Sequence, residues 1–384
     1  MNFDLTEEQL AVQRLARDFA DREIAPGARE RDRSEQFPWE ILAKMAPLGF
    51  LGEPVPEKYG GAGFDYLTHA VVTEEIGRAD SSVRTTLSVQ VSLVALTILR
   101  WGTEEQKRHC LPLLCSGQWL GCFGLTEANA GSDAANQSTT ARREGRSWVI
   151  NGSKMWISNG SVAKLALIIA QTDKTKGHTG LAAFLVETGT PGFKSRVMKG
   201  KMGLRSSDTA ELILEDVRVP AEALLGQVGD GFKVAMTALD NGRYSVAAGC
   251  VGICQGSLDA STKYAQERIA FGRPIGQFQL VQELIAEMVV KTESARLLTY
   301  RAGHVKNQGL RSTRETSIAK YYASEAACWC ADQAIQVHGG YGYSDEFPVE
   351  RYYRDARVAT LYEGTSQIQK LIIGEFQLGL RAFT

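Results

Sequence analysis

The chain has 384 residues, 44% of them hydrophobic and 23% charged, and a formal net charge of −1. At roughly 150 residues per domain this length suggests two or three domains, with enough apolar content to bury a sizeable core. The near-neutral balance gives no electrostatic case for nucleic acid or an anionic membrane as partner, and it lacks the self-repulsion that discourages assembly.

The segment Met1–Gln9 is polar and acidic, with no basic stretch leading into an apolar one, so no secretory signal is expected. No run approaches about 18 uninterrupted apolar residues, so no membrane span is expected. The seven cysteines (Cys110, Cys115, Cys122, Cys250, Cys254, Cys328 and Cys330) are odd in number and form no Cys-x-x-Cys pair. They read as reduced, buried thiols of a cytoplasmic protein. The five histidines show no metal-ligand spacing, so no metal site is expected.

Residues 1–118 read as helices. Thr6-Glu7-Glu8-Gln9 has the form of a capping box, and Leu10, Leu15, Phe19 and Ile24 follow near helical spacing. Pro38 suits the first turn of a helix through Met45. Further helices are expected over about Tyr66–Gly77 and Ser82–Trp101, and Thr103–Gln106 forms a second capping box. Residues 119–228 change texture. Short strand-like runs such as Ala166–Ala170 and Leu181–Val186 alternate with turn signals at Asn151-Gly152, Asn159-Gly160, Lys176-Gly177 and Pro191-Gly192, which predicts a β-barrel or sandwich. Residues 229–384 return to helix. Long stretches at Phe232–Lys263, Gln279–Asn307, Arg314–Val337 and Thr365–Leu380 predict a four-helix bundle. The fold class is α+β and multi-domain. A Gly-x-Gly-x-x-Gly turn, a P-loop and a Gly-x-Ser-x-Gly elbow are all missing, so the chemistry sits elsewhere.

Four segments have the residue types for it. Phe123–Asp133 is rich in small residues, hydroxyls and acids; it can bring backbone N–H groups to a polar ring edge or phosphate, or it is a capped strand-to-loop turn. Lys154–Gly160 offers an indole for a flat cofactor, or a hairpin with a core Trp. Arg268–Gln279 sets two arginines around a Gly-Pro break, fit for a pyrophosphate or for a solvated helix corner. The fourth runs over Gln336–Tyr343, Arg351–Arg357 and Leu361–Gln367, where glycines permit close approach to a ligand. Glu363 follows an aromatic residue just before a helix capped by Thr365 or Ser366. An apolar setting raises a carboxyl pKa toward the range of a general base, and the helix N-terminus opposes that; a plain capping role is the alternative.

Six blocks together resemble the acyl-CoA dehydrogenase family over nearly the whole chain: LTEANAGSD at 125–133, KMWISNG at 154–160, RIAFGRPIGQFQ at 268–279, QVHGGYGY at 336–343, RYYRDAR at 351–357 and YEGTSQIQ at 362–369. The pattern is most similar to short-chain (butyryl-CoA) members. The resemblance implies an N-terminal α-domain, a middle β-domain and a C-terminal four-helix bundle. It implies FAD as cofactor, held by Phe123, Leu125, Thr126, Gly131, Ser132, Trp156, Ile157 and Ser158 around the ring. Arg268, Phe271, Phe278, Gln279, Gln336, Val337, Gly339 and Gly340 would hold the pyrophosphate and adenosine of a neighbouring subunit's FAD, with Thr365 and Gln367 assisting. Ser132, Asp240, Arg243 and Gly364 would bind the substrate, a short- or medium-chain acyl-CoA.

Glu363 matches the family's catalytic base. The competing base position of some branched- and long-chain members is Gly242 here, which leaves Glu363 unrivalled. Two residues depart from the family's Pro-Gly in the flavin loop, Ala128-Asn129; Asn tolerates the left-handed conformation a Gly would supply. The implied partners are electron-transfer flavoprotein and further copies of the chain in a homotetramer, a dimer of dimers. Acyl-CoA oxidase, a flavin monooxygenase of similar fold and a non-enzymatic nucleic-acid-binding relative are the rival readings. The fourth helix would floor the acyl pocket with Thr86, Ser88 and Gln90.

Overall fold

The computed structural model describes residues 4–382. The N-terminal section is helical: α1 (Glu7–Phe19), a π turn (Ala20–Ile24), α2 (Ala28–Ser34), α3 (Trp39–Met45), α4 (Tyr66–Ala79), α5 (Ser81–Ser88), a second π segment (Val89–Ala95), α6 (Leu96–Trp101) and α7 (Glu104–Cys115). Both capping boxes form. Thr6 and Gln9 satisfy each other's backbone N–H groups, as do Thr103 and Gln106. Pro38 stands one residue earlier than expected, as the N-cap of α3.

The single helix expected over Ser82–Trp101 is interrupted by the π segment, and periodicity does not register an inserted residue. Ser81–Trp101 has a mean hydropathy of 1.4 over its most apolar window and is long enough to cross a membrane by length and composition. That window is 94% buried within the protein, so its apolar character serves the core.

The middle section is an eight-stranded sheet: β1 (Gly121–Gly124), β2 (Thr140–Glu144), β3 (Ser147–Ser158), β4 (Leu165–Gln171), β5 (Leu181–Glu187), β6 (Phe193–Val197), β7 (Thr209–Pro220) and β8 (Leu224–Leu225). The order is β6-β7-β3-β2-β4-β5-β8, with β1 beside β4. Pairing is antiparallel except that β1 and β2 run parallel to β4. β4 is buried along its length because both faces are covered. Leu165, Leu167 and Ile169 enter the core shared with the helices, while Ala166, Ile168 and Ala170 enter the core on the other face. Asn151-Gly152 is not a turn: β3 runs through it with a bulge, and Gly152 (φ 145°) lets the strand pass Thr139 closely.

The C-terminal section holds α8 (Gly231–Glu267), a small hairpin of β9 (Ile269–Ala270) and β10 (Arg273–Pro274), then α9 (Gln279–Asn307), α10 (Thr313–His338), α11 (Val349–Arg357) and α12 (Ser366–Leu378). Alanines 247, 248, 295, 302, 319, 323, 327, 331 and 334 fill much of the bundle core, which lets its helices approach closely. Helix α8 is central: it packs on α4, α9, α10 and the π segment of the N-terminal section.

Candidate active site

Glu363 sits between a turn and a helix start. Leu361 and Tyr362 donate their N–H groups to Val358 O, closing the turn before it. Thr365 caps α12 by accepting from the Ile368 N–H at 3.3 Å. Glu363 itself takes φ 54°, left-handed for a non-glycine residue, and Gly364 follows at φ 91°. Two side chains clamp its carbonyl: Arg243 Nε donates to Glu363 O at 3.2 Å and Gln369 Nε2 at 3.1 Å. Lys320 Nζ donates to Gly364 O at 2.7 Å. The backbone is therefore over-determined, which is what a strained residue needs to persist.

The carboxylate end is different. Glu363 as a residue is half-exposed, but Oε2 is buried and has no hydrogen-bond partner. Burial pushes its pKa up from 4.5 to about 7, against the pull of Lys320, Arg84 and Arg243. Room for it comes from Gly242 on α8, where any side chain would collide with the carboxylate and with Leu93. A buried, unpaired carboxyl near neutrality has the properties of a proton acceptor.

Asp240 and Arg243 stand beside it, joined at 2.8 Å, and Asp240 also accepts from Thr313 Oγ1 at 2.6 Å. The fold thus brings Asp240, Arg243, Glu363, Gly364 and Thr365 to one corner, with Gln367 exposed on the first turn of α12.

The loop after β1 forms a second cluster. Met155 N–H donates to Thr126 O at 2.8 Å, tying the loop to β3. Buried Lys154 Nζ donates to Leu125 O, Glu127 Oε1 and Gln137 Oε1 at 3.2, 2.7 and 2.5 Å. A bulge between Lys154 and Ile157 turns Trp156 outward at φ 61°, leaving it 62% exposed. Ser158 is half-buried, and Gly131 and Ser132 are exposed. The side chains of Phe123, Leu125 and Ile157 point into cores, so these three offer a ligand backbone rather than side-chain contact. Alternation along a strand places every second side chain inward.

The third cluster is a cleft of about 570 Å³ whose walls include Arg268, Gln336, Val337, Gly339 and Gly340. Arg268 lies over the Tyr341 ring at 5.3 Å. Phe271 is 94% exposed at φ 52° and meets Phe278 edge-on at 5.9 Å; Gln279 is exposed beside them. Gln336 lies 16 residues along α10 from Lys320, about 24 Å at 1.5 Å per residue. Within one chain the cleft is therefore far from the Glu363 corner.

Two floor residues expected from sequence do other work. Gln90 bonds Leu114 O, Trp119 O and the Gly121 N–H, fastening the π segment to β1. Thr86 is fully buried and bonds back to Ser82 O. Sequence reasoning passed over Lys320 and Arg84. The signal for both was a charge within an otherwise small or apolar helical run.

A helical section, a mixed sheet and a helical bundle, with a strained buried carboxyl at the bundle's edge, define the acyl-CoA dehydrogenase type of fold and site. The chain belongs to the acyl-CoA dehydrogenase family: it matches the family's N-terminal domain over residues 6–118, its middle domain over 122–217 and its C-terminal domain over 229–378. Members of this family are flavoproteins. The chain is 46% identical over 370 residues to the mitochondrial short-chain specific acyl-CoA dehydrogenase of Mus musculus, covering 96% of this chain and 90% of the mouse protein. The butyryl-CoA dehydrogenase structure from Megasphaera elsdenii superposes with a TM-score of 0.96 at 42% identity, covering 98% of this chain and all of that one. A glutaryl-CoA dehydrogenase from Mycobacterium smegmatis in complex with FADH2 gives a TM-score of 0.94 at 35% identity, covering 99% and 97%.

Proposed function

We propose that this protein is an acyl-CoA dehydrogenase that converts a short- or medium-chain acyl-CoA to the trans-2-enoyl-CoA with FAD as its cofactor and passes the electrons to electron-transfer flavoprotein. The observation that carries this reading is the buried, partnerless Glu363 Oε2 in a left-handed residue ahead of α12. It has no structural bond to justify its burial, so its placement is explained by a substrate hydrogen that it removes.

The residues present suit a flavin. The exposed Trp156 beside the loop at Thr126–Ser132 offers an aromatic face and free backbone edges, and the Arg268 cleft offers a guanidinium and close backbone approach at Gly339 and Gly340. When bound, the flavin supplies the acceptor for the substrate's β hydrogen. Glu363 takes the α proton on Oε2. The N–H of Glu363, which no turn hydrogen bond uses, is available to the thioester oxygen as charge develops there. Arg243 and Gln369 hold the carbonyl of the same residue and so fix that N–H.

The distance between the Arg268 cleft and the Glu363 corner supports assembly, because a cleft too remote to serve its own chain's site can serve a neighbour's. A homotetramer, a dimer of dimers, with domains at 1–118, 119–228 and 229–384 and a cytoplasmic location, completes the reading. The experiment is anaerobic flavin bleaching by butyryl-CoA. Wild-type protein loses its flavin absorbance, while Glu363→Gln retains FAD, binds thioester and does not bleach. Full-rate bleaching by that variant would place the base elsewhere.

A further inference from the structure

His69 on α4 is fully buried between two polar groups that the chemistry above leaves unused. Its Nδ1 lies 2.5 Å from Glu53 Oε2 and its Nε2 3.2 Å from Ser92 Oγ. Glu53 and Ser92 are fully buried too, and Glu53 Oε1 has no hydrogen-bond partner. Tyr244 of α8 closes a further side, its ring centroid 6.2 Å from that of His69. A buried imidazole–carboxylate pair carries a desolvation penalty and is weak evidence for stability by itself. What the pair does secure is the orientation of the ring, because the bond made by one nitrogen fixes where the other points. Here the other points at one hydroxyl.

Ser92 lies in the π segment Val89–Ala95, where neighbouring side chains reach three different elements. Gln90 reaches β1 and its approach through Leu114 O, Trp119 O and the Gly121 N–H. Ser92 reaches α4 through His69. Leu93 reaches α8: a Cβ on Gly242 would lie 2.7 Å from Leu93 Cδ2 and 1.9 Å from Glu363 Oε2. The isobutyl group and the carboxyl oxygen therefore border the same pocket, and Leu93 forms part of the apolar wall that desolvates the carboxyl. Rotation of the segment about its own axis is the motion that would withdraw that wall. Gln90 resists it from one side and Ser92 from another.

We infer that His69, held by Glu53, is a positioning residue for the base: through Ser92 it keeps Leu93 packed beside the Glu363 carboxyl and keeps water away from it. This rests on the reading of Glu363 as the base. The charged groups facing Glu363 are Lys320 from α10, Arg84 from α5 and Arg243 from α8, with the Tyr362 hydroxyl beside them. None of these is hydrogen-bonded to Ser92 or His69. A change at Ser92 therefore alters the solvation of the carboxyl and leaves its neighbouring charges in place.

The test is the pH dependence of anaerobic flavin bleaching by butyryl-CoA in the holoenzyme. The wild-type acidic limb is expected near 7. In Ser92→Ala we expect that limb to move about 0.5–1 unit lower, toward the ordinary carboxyl value, as water reaches Oε2. The fall in stability between about 4.5 and 7 becomes shallower to match, as read by urea unfolding at several pH values. Glu53→Met combined with His69→Phe removes the same bond without leaving a lone buried charge, and reproduces the shift even where Ser92→Ala fails to fold. In a Leu93→Ala background, Ser92→Ala produces no further shift; an additional one would overturn the route through Leu93. A limb that stays near 7 in either folded variant, whatever its melting temperature, overturns the inference and leaves the dehydrogenase reading standing. Full-rate bleaching by Glu363→Gln overturns both.

Discussion

The missing side chain of Gly242 and the carboxylate of Glu363 occupy the same space, 121 positions apart in the chain. Glycine in a helix interior is destabilising by about 0.5–1 kcal/mol relative to alanine, so α8 retains it there for the sake of its neighbour. Gly242→Ala is therefore expected to lower kcat at least tenfold by displacing the base. Its melting temperature should stay within a few degrees of wild type, because the gain in helix propensity offsets the local collision. Thermal unfolding followed beside substrate-driven bleaching checks both; unchanged kcat would show that the carboxylate works from another position.

Burial raises Glu363 to about 7, so the base form prevails only above neutrality. The expected kcat/KM profile climbs with pH through about 7 on its acidic limb, since that parameter reports the free enzyme. Stability moves the other way. Between about 4.5 and 7 the native state holds a proton that the unfolded chain has released, so this residue's contribution to stability falls as pH rises across that window. A pH–rate profile with an acidic limb near 4.5 would contradict the burial seen here.

Lys320 is the strongest opposing influence on Glu363 and also bonds Gly364 O at 2.7 Å. Lys320→Met removes a charge that favours the carboxylate, so the acidic limb of the pH profile moves to higher pH. Loss of a buried, charge-assisted bond costs about 1.5–3 kcal/mol of stability. A profile that stays in place would confine Lys320 to holding the turn.

Lys154 and Glu127, both buried, join β3 to the loop after β1 at 2.7 Å. Breaking a buried pair from one side leaves a lone charge, so Lys154→Met is expected to cost about 3–5 kcal/mol. Changing both, as Lys154→Met with Glu127→Gln, recovers much of that. Because the loop carries Thr126 and Ser132, FAD affinity is expected to fall in the single variant more than in the double. Denaturant unfolding and flavin release by dilution measure the two effects.

Much of the fold was readable locally. The capping boxes at Thr6 and Thr103, the bounds of α9, and the strand runs of β4 and β5 follow from residues within a few positions of one another. Errors came where a short-range signal had a long-range purpose. Asn151-Gly152 has the chemistry of a turn but serves a bulge, because Thr139 on the neighbouring chain segment needs the space. Gln90 reads as a polar pocket residue, yet its amide is consumed by three backbone groups around β1.

The sequence by itself determined the order of helical, sheet and helical sections, because propensity, capping and turn chemistry are properties of neighbouring residues, and its resemblance to the acyl-CoA dehydrogenase family singled out Glu363. Only the tertiary structure decided what surrounds that carboxyl. Arg84, Leu93, Gly242 and Lys320 come from α5, the π segment that follows it, α8 and α10, and whether a charge finds a partner or stays alone depends on packing in space. Solvation and Coulomb energies depend on distance through the folded interior, a quantity that spacing along the chain does not carry.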